Sequence, residues 1–195
     1  MVTISGLLLV ISGPSGVGKS TIIEHMLVSG LAECECVFSV SMTTRLPRQG
    51  EIEGINYHFV SRDRFLFAIE HNELLEYAEF AGQFYGTPEE PIREAMAKGQ
   101  CVILDIESHG MLQVRERAPD AVTVFVTPPD WDELRKRLRG RGTENEELIE
   151  ARLEISRVDY DNKVLYDHII VNTEIDEAAA QLAEIINKRR RLNYA

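Results

Sequence analysis

Hydrophobic positions in this chain fall into short unbroken runs and helical spacings that succeed one another from end to end. Leu7-Leu8-Leu9-Val10-Ile11 is a continuous apolar run, too short to cross a membrane and of the length of a buried strand. Val37-Phe38-Ser39-Val40-Ser41 alternates instead, the pattern of a strand buried on one face. Cys101-Val102-Ile103-Leu104-Asp105 is mostly apolar and ends in a carboxylate, and Ile169-Ile170-Val171 forms the final strand. A helical pattern runs from Thr21-Ile22-Ile23 through Leu27. Another begins near Trp131-Asp132-Glu133, after the breaker Pro128-Pro129, and an acidic helix follows from Glu144 to about Asn162. The last helix, about Ile175 to Arg191, sets Ala178, Leu182, Ile185 and Ile186 on a face that packs against a core. The sequence contains no internal repeat, low-complexity stretch or heptad seam.

Between the first strand and the first helix stands Gly13-Pro14-Ser15-Gly16-Val17-Gly18-Lys19-Ser20. The order strand, glycine loop, helix turns this pattern into a mechanism. Glycines let the backbone turn tightly and aim successive N–H groups at phosphate oxygens, and the opening helix adds the positive end of its dipole. Lys19 can then reach β- and γ-phosphates, and the Ser20 hydroxyl can ligate Mg²⁺. Gly13 through Ser20, with Thr21 behind them, imply a site for a nucleoside triphosphate.

Composition narrows the remaining classes. A chain of 195 residues fits one domain with room for inserted lobes, and its 44% hydrophobic content suits a globular protein. No segment joins a basic start, an apolar stretch and a small-residue cleavage site, so no secretory leader is expected. Three cysteines cannot complete a disulfide framework, and Cys34-x-Cys36 lacks a second pair for zinc. Buried or indifferent thiols in a reducing cytoplasm are expected. The net charge of −11 argues against general nucleic-acid binding, and it requires any site for anionic substrates to be locally basic.

Two places concentrate positive charge. In the run Thr43 to Phe59, Pro47, Gly50 and Gly54 prevent a regular helix and set Arg45 and Arg48 on a loop at a strand's end. Two arginines so placed can converge on one phosphate through forked, charge-assisted hydrogen bonds, with Tyr57 adding a neutral donor. A solvated basic turn is the alternative, and the phosphate loop upstream favours the first reading. The second place is Arg135-Lys136-Arg137-Leu138-Arg139-Gly140-Arg141, five cations in seven residues. A helix C-terminus attracts cations, which explains part of this cluster, but Gly140-Arg141-Gly142 carries the charge on into the connection. A helix–loop–helix with arginines at its hinge, and Arg152 on its second helix, is what a phosphoryl-transfer lid requires.

Along nearly its whole length the chain resembles a guanylate kinase of the bacterial type. The likeness is carried by Gly13–Ser20, by the pattern Thr43-Thr44-Arg45-x-Pro47-Arg48-x-Gly50-Glu51 within the run to Phe59, and by Leu74-Leu75-Glu76-Tyr77-Ala78-Glu79-Phe80 leading to Tyr85-Gly86-Thr87. Cys101–Asp105 and Arg141-Gly142-Thr143-Glu144 complete it. The resemblance implies an α/β, doubly wound P-loop kinase fold. Its parallel-sheet core would hold residues 1–40, 93–128 and 161–195, with an inserted monophosphate-binding lobe at 41–92 and a helical lid at 129–160.

Carried over residue by residue, the resemblance gives Arg45, Arg48, Tyr57 and Tyr85 the phosphate of GMP, and Glu76 the guanine edge, with Ser41 and Thr87 close by. The chemistry agrees. Guanine presents N1–H and its 2-amino group as adjacent donors that one ionised carboxylate accepts, whereas adenine offers an acceptor at N1 and no 2-amino group. From the sequence alone Glu76 reads equally as an exposed strand carboxylate. Asp105 is expected at the metal, directly or through water, and Glu107 near the guanine or ribose. The family more often has Asp at the latter position, and a large residue then Gln before the glycine, where this chain has Ser108-His109-Gly110. His109 reads as a partly exposed helix-start residue, because transfer between phosphates needs little base catalysis. Arg137, Arg141 and Arg152, together with Lys19, are expected around the transferring phosphate, and Asn172 beside the adenine. Lys188-Arg189-Arg190-Arg191 reads as a solvated helix end.

The expected reaction moves a phosphoryl group from ATP, with Mg²⁺, to GMP and by extension dGMP. The expected partners are these small molecules, not nucleic acid or membrane, with the chain a monomer or homodimer. A kinase of a phosphorylated sugar and a non-catalytic peptide-binding module of similar fold are the alternatives.

Overall fold

A computed structural model describes residues 6–140 and 146–193. The first apolar run forms β1 (Leu7–Ser12), and all of its residues are buried. It lies at the centre of a parallel sheet whose spatial order is β2 (Cys36–Phe38), β7 (Cys101–Asp105), β1, β8 (Val122–Thr127) and β9 (His168–Val171). Helices cover both faces, which is why β1 reads as a continuous apolar run and not as an alternating one. Leu7, Leu9 and Ile11 pack with Ile22, Ile23 and Met26 of α1 (Lys19–Val28) and Leu182 and Ile186 of α7 (Ile175–Asn193). Leu8 and Val10 face the opposite core, with Ile92 of α3 (Glu89–Ala97) and Met111 and Val114 of α4 (Ser108–Arg117). The glycine loop leaves β1 between β7 and β8, where the strand order changes sides, the switch point at which open α/β sheets bind ligands.

A second, smaller sheet has the order β4 (His58–Phe59), β3 (Met42–Thr43), β6 (Gln83–Pro88) and β5 (Leu74–Phe80). It is covered by α2 (Arg62–Glu70), whose N-terminus is capped by the Ser61 hydroxyl accepting from the Arg64 N–H at 3.2 Å. Met42, Phe65, Ala68, Leu74 and Phe84 form a core of its own, with Phe65 and Phe84 stacked at 5.3 Å. A third cluster, Leu134, Leu138, Ile149 and Leu153, joins α5 (Trp131–Gly140) to α6 (Glu146–Asp161), and a 3₁₀ turn at Asn162–Leu165 returns the chain to the core.

Two expectations need correction. The strand expected over Val37–Ser41 covers only Cys36–Phe38, because the chain leaves the edge of the core sheet there and re-pairs as β3 in the second sheet. The basic end of α7 is not simply solvated. Arg190 donates to the Gly99 carbonyl at 2.6 Å and Arg191 pairs with Glu33, so the helix end is fastened to two core loops. Cys101 is buried, and Cys34 and Cys36 are half-buried with their sulfurs 3.9 Å apart. No described helix is long and apolar enough to cross a membrane.

The hairpin joining β5 to β6 turns on Ala81 and Gly82, whose φ angles are 50° and 75°. A two-residue hairpin of this kind requires the left-handed region at both positions. Gly82 adopts it without strain, whereas the Cβ of Ala81 clashes with its own backbone. Ala81→Asn, which tolerates this conformation, should stabilise the protein by about 0.5–1 kcal/mol. The check is the urea midpoint at unchanged m-value, and an unchanged or lower midpoint would remove the strain argument.

Candidate active site

The glycine loop is fixed from beneath. Gly13 has a φ of 145°, and a Cβ there would lie 2.2 Å from the Val126 carbonyl oxygen, so only glycine lets the loop lie against β8. Gly18, at φ 100°, opens α1, and a Cβ there would stand 2.6 Å from the side-chain nitrogen of Asn172. Asn172 follows β9 and is buried, its Nδ2 donating to the Val17 carbonyl at 2.7 Å. Arg137 of α5 donates from Nη1 to the same carbonyl at 3.2 Å and from Nη2 to the Asn172 carbonyl at 3.1 Å, with its Nε held by Glu133 at 2.9 Å. Lys19 Nζ reaches back to the Gly13 carbonyl at 2.8 Å. Arg152 of α6 donates to the Ser15 hydroxyl at 3.2 Å. Lys19, Arg137 and Arg152 therefore converge on the loop, whereas Arg141 lies outside the described residues. The first turn of α1 carries no acidic side chain, and Ser20 and Thr21 are exposed there.

Asp105 connects this loop to a second site. It ends β7 beside β1, opposite Ile11, with its carboxylate 3.6 Å from Lys19 Nζ. Burial pushes its carboxyl above the ordinary range, and the Lys19 charge and hydrogen bond oppose that shift. The same side chain lines a cavity of about 280 Å³ together with Ser41, Tyr57, Glu76, Tyr85 and Glu107. Ala78, Phe80, Gly86, Ile106, His109 and Gly110 complete its walls.

Glu76 is buried at 7% exposure, so the exposed-carboxylate alternative is overturned. A register shift in β5 between Leu74 and Glu76 explains the burial. Leu74 stands opposite Pro88 and Glu76 opposite Thr87, so the extra residue, Leu75, turns Leu74 and Glu76 to opposite faces of the sheet. Leu74 enters the core under α2, Leu75 the main core, and Glu76 the cavity. Thr87, its cross-strand partner and itself buried, donates to Oε1 at 2.5 Å. Desolvation raises the Glu76 carboxyl above its usual range, opposed by the Thr87 hydrogen bond and by the charge of His109.

The basic loop is pre-arranged. Arg45 Nη1 and Nη2 bind both oxygens of Glu51, at 2.8 and 2.9 Å, and Nη1 also donates to the Leu46 carbonyl at 2.8 Å. The guanidinium lies 5.3 Å from the centre of the Tyr57 ring, and Tyr57 meets Tyr85 edge-on at 6.1 Å. The Arg48 backbone N–H closes the loop on Glu51 at 2.6 Å, and its side chain is exposed. Tyr57 and Tyr85 thus line the cavity, Arg45 stands against the Tyr57 ring, and Arg48 lies on the exposed part of the same loop. His109, second residue of α4, is exposed as expected, and Glu107 precedes the helix.

Sequence reasoning missed several of these parts. Ala78 and Phe80 share the cavity with Glu76, two and four residues on, a period-two signal available in the strand. Glu51 was noted only within a motif, although an acid six residues beyond Arg45 in a tight loop suggested its partner. No local signal indicated Gly110 at the cavity or Asn172 beneath the loop.

The family model described as guanylate kinase matches residues 5–189. A guanylate kinase of Thermobifida fusca is 47% identical over 179 residues, 92% of this chain and 90% of its own. One from Halalkalibacterium halodurans is 44% identical over 191 residues, 96% of this chain and 92% of its own. The crystal structure of guanylate kinase from Anaplasma phagocytophilum superposes with a TM-score of 0.73 at 32% identity, covering 97% of this chain and 88% of that one.

The Arg45–Glu51 pair has a measurable consequence. Hydrogen bonds from Arg45, then from the Arg48 backbone, hold the Glu51 carboxyl down at about 2. A depressed folded-state value stabilises the loop above the ordinary carboxylate range, and this contribution disappears as pH falls toward 2. A carboxyl NMR titration should place the Glu51 midpoint near 2, and Arg45→Ala should raise it toward the ordinary carboxylate range, with the Arg48 backbone hydrogen bond still holding it somewhat down. A midpoint in the ordinary range in the unaltered protein would mean that the pair does not persist in solution.

Proposed function

The chain belongs to the guanylate kinase family, and from that premise we propose how its residues divide the work of moving a phosphoryl group from ATP to GMP. The reaction is the ATP-dependent phosphorylation of GMP to GDP. The observation that carries the division is Asp105, which pairs with Lys19 of the phosphate loop and also lines the cavity that contains Glu76. Donor and acceptor ends of the site share this one wall, as direct transfer between two bound phosphates requires.

At the donor end, the loop Gly13 through Thr21, by its N–H groups other than at Pro14, and the start of α1 receive the triphosphate, with Lys19 neutralising its terminal oxygens. Arg137 and Arg152, with Arg141 from the connection between their helices, supply further positive charge to the transferring group. Asn172 keeps the loop in shape and stands on the adenine side. Mg²⁺ fits the residues present. Among the described residues no three or more His, Cys, Asp or Glu side chains are grouped to hold a metal alone. Ser20 and Asp105 supply one hydroxyl and one carboxylate, the small protein share typical of a Mg²⁺ that takes its remaining ligands from phosphates and water. Bound there, the cation would neutralise phosphate charge.

At the acceptor end, Arg45, Arg48, Tyr57 and Tyr85 hold the GMP phosphate in line. The ionised Glu76 accepts N1–H and the 2-amino group of guanine, while Thr87 fixes its orientation and Ser41 and Glu107 border the base and ribose. AMP would leave this buried carboxylate unpaired, and such mismatches reduce use by roughly 10⁴-fold. The kinase of a phosphorylated sugar and the peptide-binding module are set aside by relatives that share most of the chain. The three unpaired thiols suit the reducing cytoplasm, which we include in the proposal.

Lys19→Ala should lower kcat by roughly 100-fold or more while thermal melting stays near that of the parent. Near-normal turnover in a coupled assay would remove Lys19 from the transfer step.

ADP formation with GMP, AMP, UMP and CMP offered separately should show turnover with GMP alone. Glu76→Gln should raise the KM for GMP by about 10-fold or more and spare that for ATP. Because the ionised carboxylate does the accepting and burial raises its pKa, KM for GMP should climb as pH falls, with a midpoint above the ordinary carboxylate range. Glu76→Gln should lose this acid limb. An unchanged KM or an unchanged pH profile in that variant would sink Glu76 as the guanine reader.

A further inference from the structure

The wall opposite Thr87 is the first turn of α4. Its third residue is Gly110, buried and lining the cavity. A Cβ built on Gly110 would lie 2.8 Å from Glu76 Oε2, 3.3 Å from Glu76 Cδ and 3.3 Å from Ile106 Cδ1. Its backbone is that of the helix, outside the left-handed region, so no conformational demand calls for glycine here. Alanine is the better helix former at such a position, and glycine weakens the helix that contains it. The helix therefore does not explain the glycine, and the nearest neighbour that does is the carboxylate of Glu76.

We propose that Gly110 is a positioning residue for base recognition: the missing side chain lets the Glu76 carboxylate stand directly against the α4 backbone, clamped between the helix and Thr87. The inference rests on Glu76 reading guanine. Oε1 is held by Thr87 at 2.5 Å and Oε2 abuts Gly110, so the plane of the carboxylate is set from both sides. A methyl group on residue 110 would meet the far end of a flexible side chain, not backbone. The fold can absorb it by swinging the carboxylate aside by several tenths of an ångström, and that swing removes the alignment with two adjacent donors on the base.

Gly110→Ala is expected to melt at the parent's temperature or higher and to leave the KM for ATP unchanged. The KM for GMP should rise roughly 10- to 100-fold, the penalty of a small misplacement in a positioned site. A merely structural glycine would instead lower the melting temperature and raise both KM values together. Glu76→Asp provides the second arm. On that background, the shorter carboxylate no longer reaches residue 110, so adding Gly110→Ala should not raise KM for GMP further. If Gly110→Ala alone fails to fold but folds when combined with Glu76→Asp, the contact is upheld. If both fail, or if Gly110→Ala leaves the KM for GMP unchanged, the inference is overturned. Glu76→Gln separates the two levels. Normal GMP use in Glu76→Gln would defeat the reading of Glu76 itself. Impaired GMP use in that variant with normal use in Gly110→Ala would defeat only the role of Gly110.

Discussion

A loop that binds phosphate through its backbone N–H groups must be held rigid by something other than those groups. Here the holding is done through carbonyls. Lys19 takes the Gly13 oxygen, and Asn172 and Arg137 share the oxygen of Val17. Gly13 lies so close to Val126 that no side chain could intervene. These contacts come from four separate stretches of chain, brought together because β1, β8 and β9 are adjacent in one parallel sheet. The loop's shape is thus a product of the whole core, and α5 is tied to it through Arg137.

The acceptor end obeys a different constraint, the expense of burying a carboxylate. Glu76 is tolerated because Thr87 satisfies one oxygen and a bulged strand aims the group into a cavity. In the proposed recognition a guanine base would supply the two donors, and a base lacking them would leave the carboxylate unpaired. The raised pKa of Glu76 and the tight backing of Gly110 express the same economy of space around one group.

Charge follows a consistent rule across both ends. With a net charge of −11, the protein would repel anionic nucleotides if its cations were scattered. Instead three cations of the site are held by carboxylates: Lys19 by Asp105, Arg45 by Glu51, Arg137 by Glu133. These pairs are half-buried and fix the cations in place, so they orient donors before the substrate arrives. The second sheet and the α5–α6 pair each carry a small hydrophobic cluster of their own, which keeps Arg45 and Arg152 on elements with internal support.

By itself the sequence determined the parts whose physics is local. The strand Leu7–Ile11, the glycine loop and α1 follow from a continuous apolar run, left-handed glycines and helical periodicity, all written in neighbouring residues. Arg45 and Arg48 read as a loop because Pro47 and Gly50 forbid a helix. The tertiary structure decided what depends on distant partners. Strict alternation puts Leu74 and Glu76 on one face, and only pairing with β6 introduces the bulge that separates them and buries the carboxylate. Asn172 follows an ordinary strand, yet sheet order places it under a loop 155 positions earlier in the chain. Gly110 looks like a dispensable glycine in a helix until α4 docks against β5. Each of these outcomes is set by burial and close approach between separate elements, which no local pattern of hydrophobicity or turn propensity encodes.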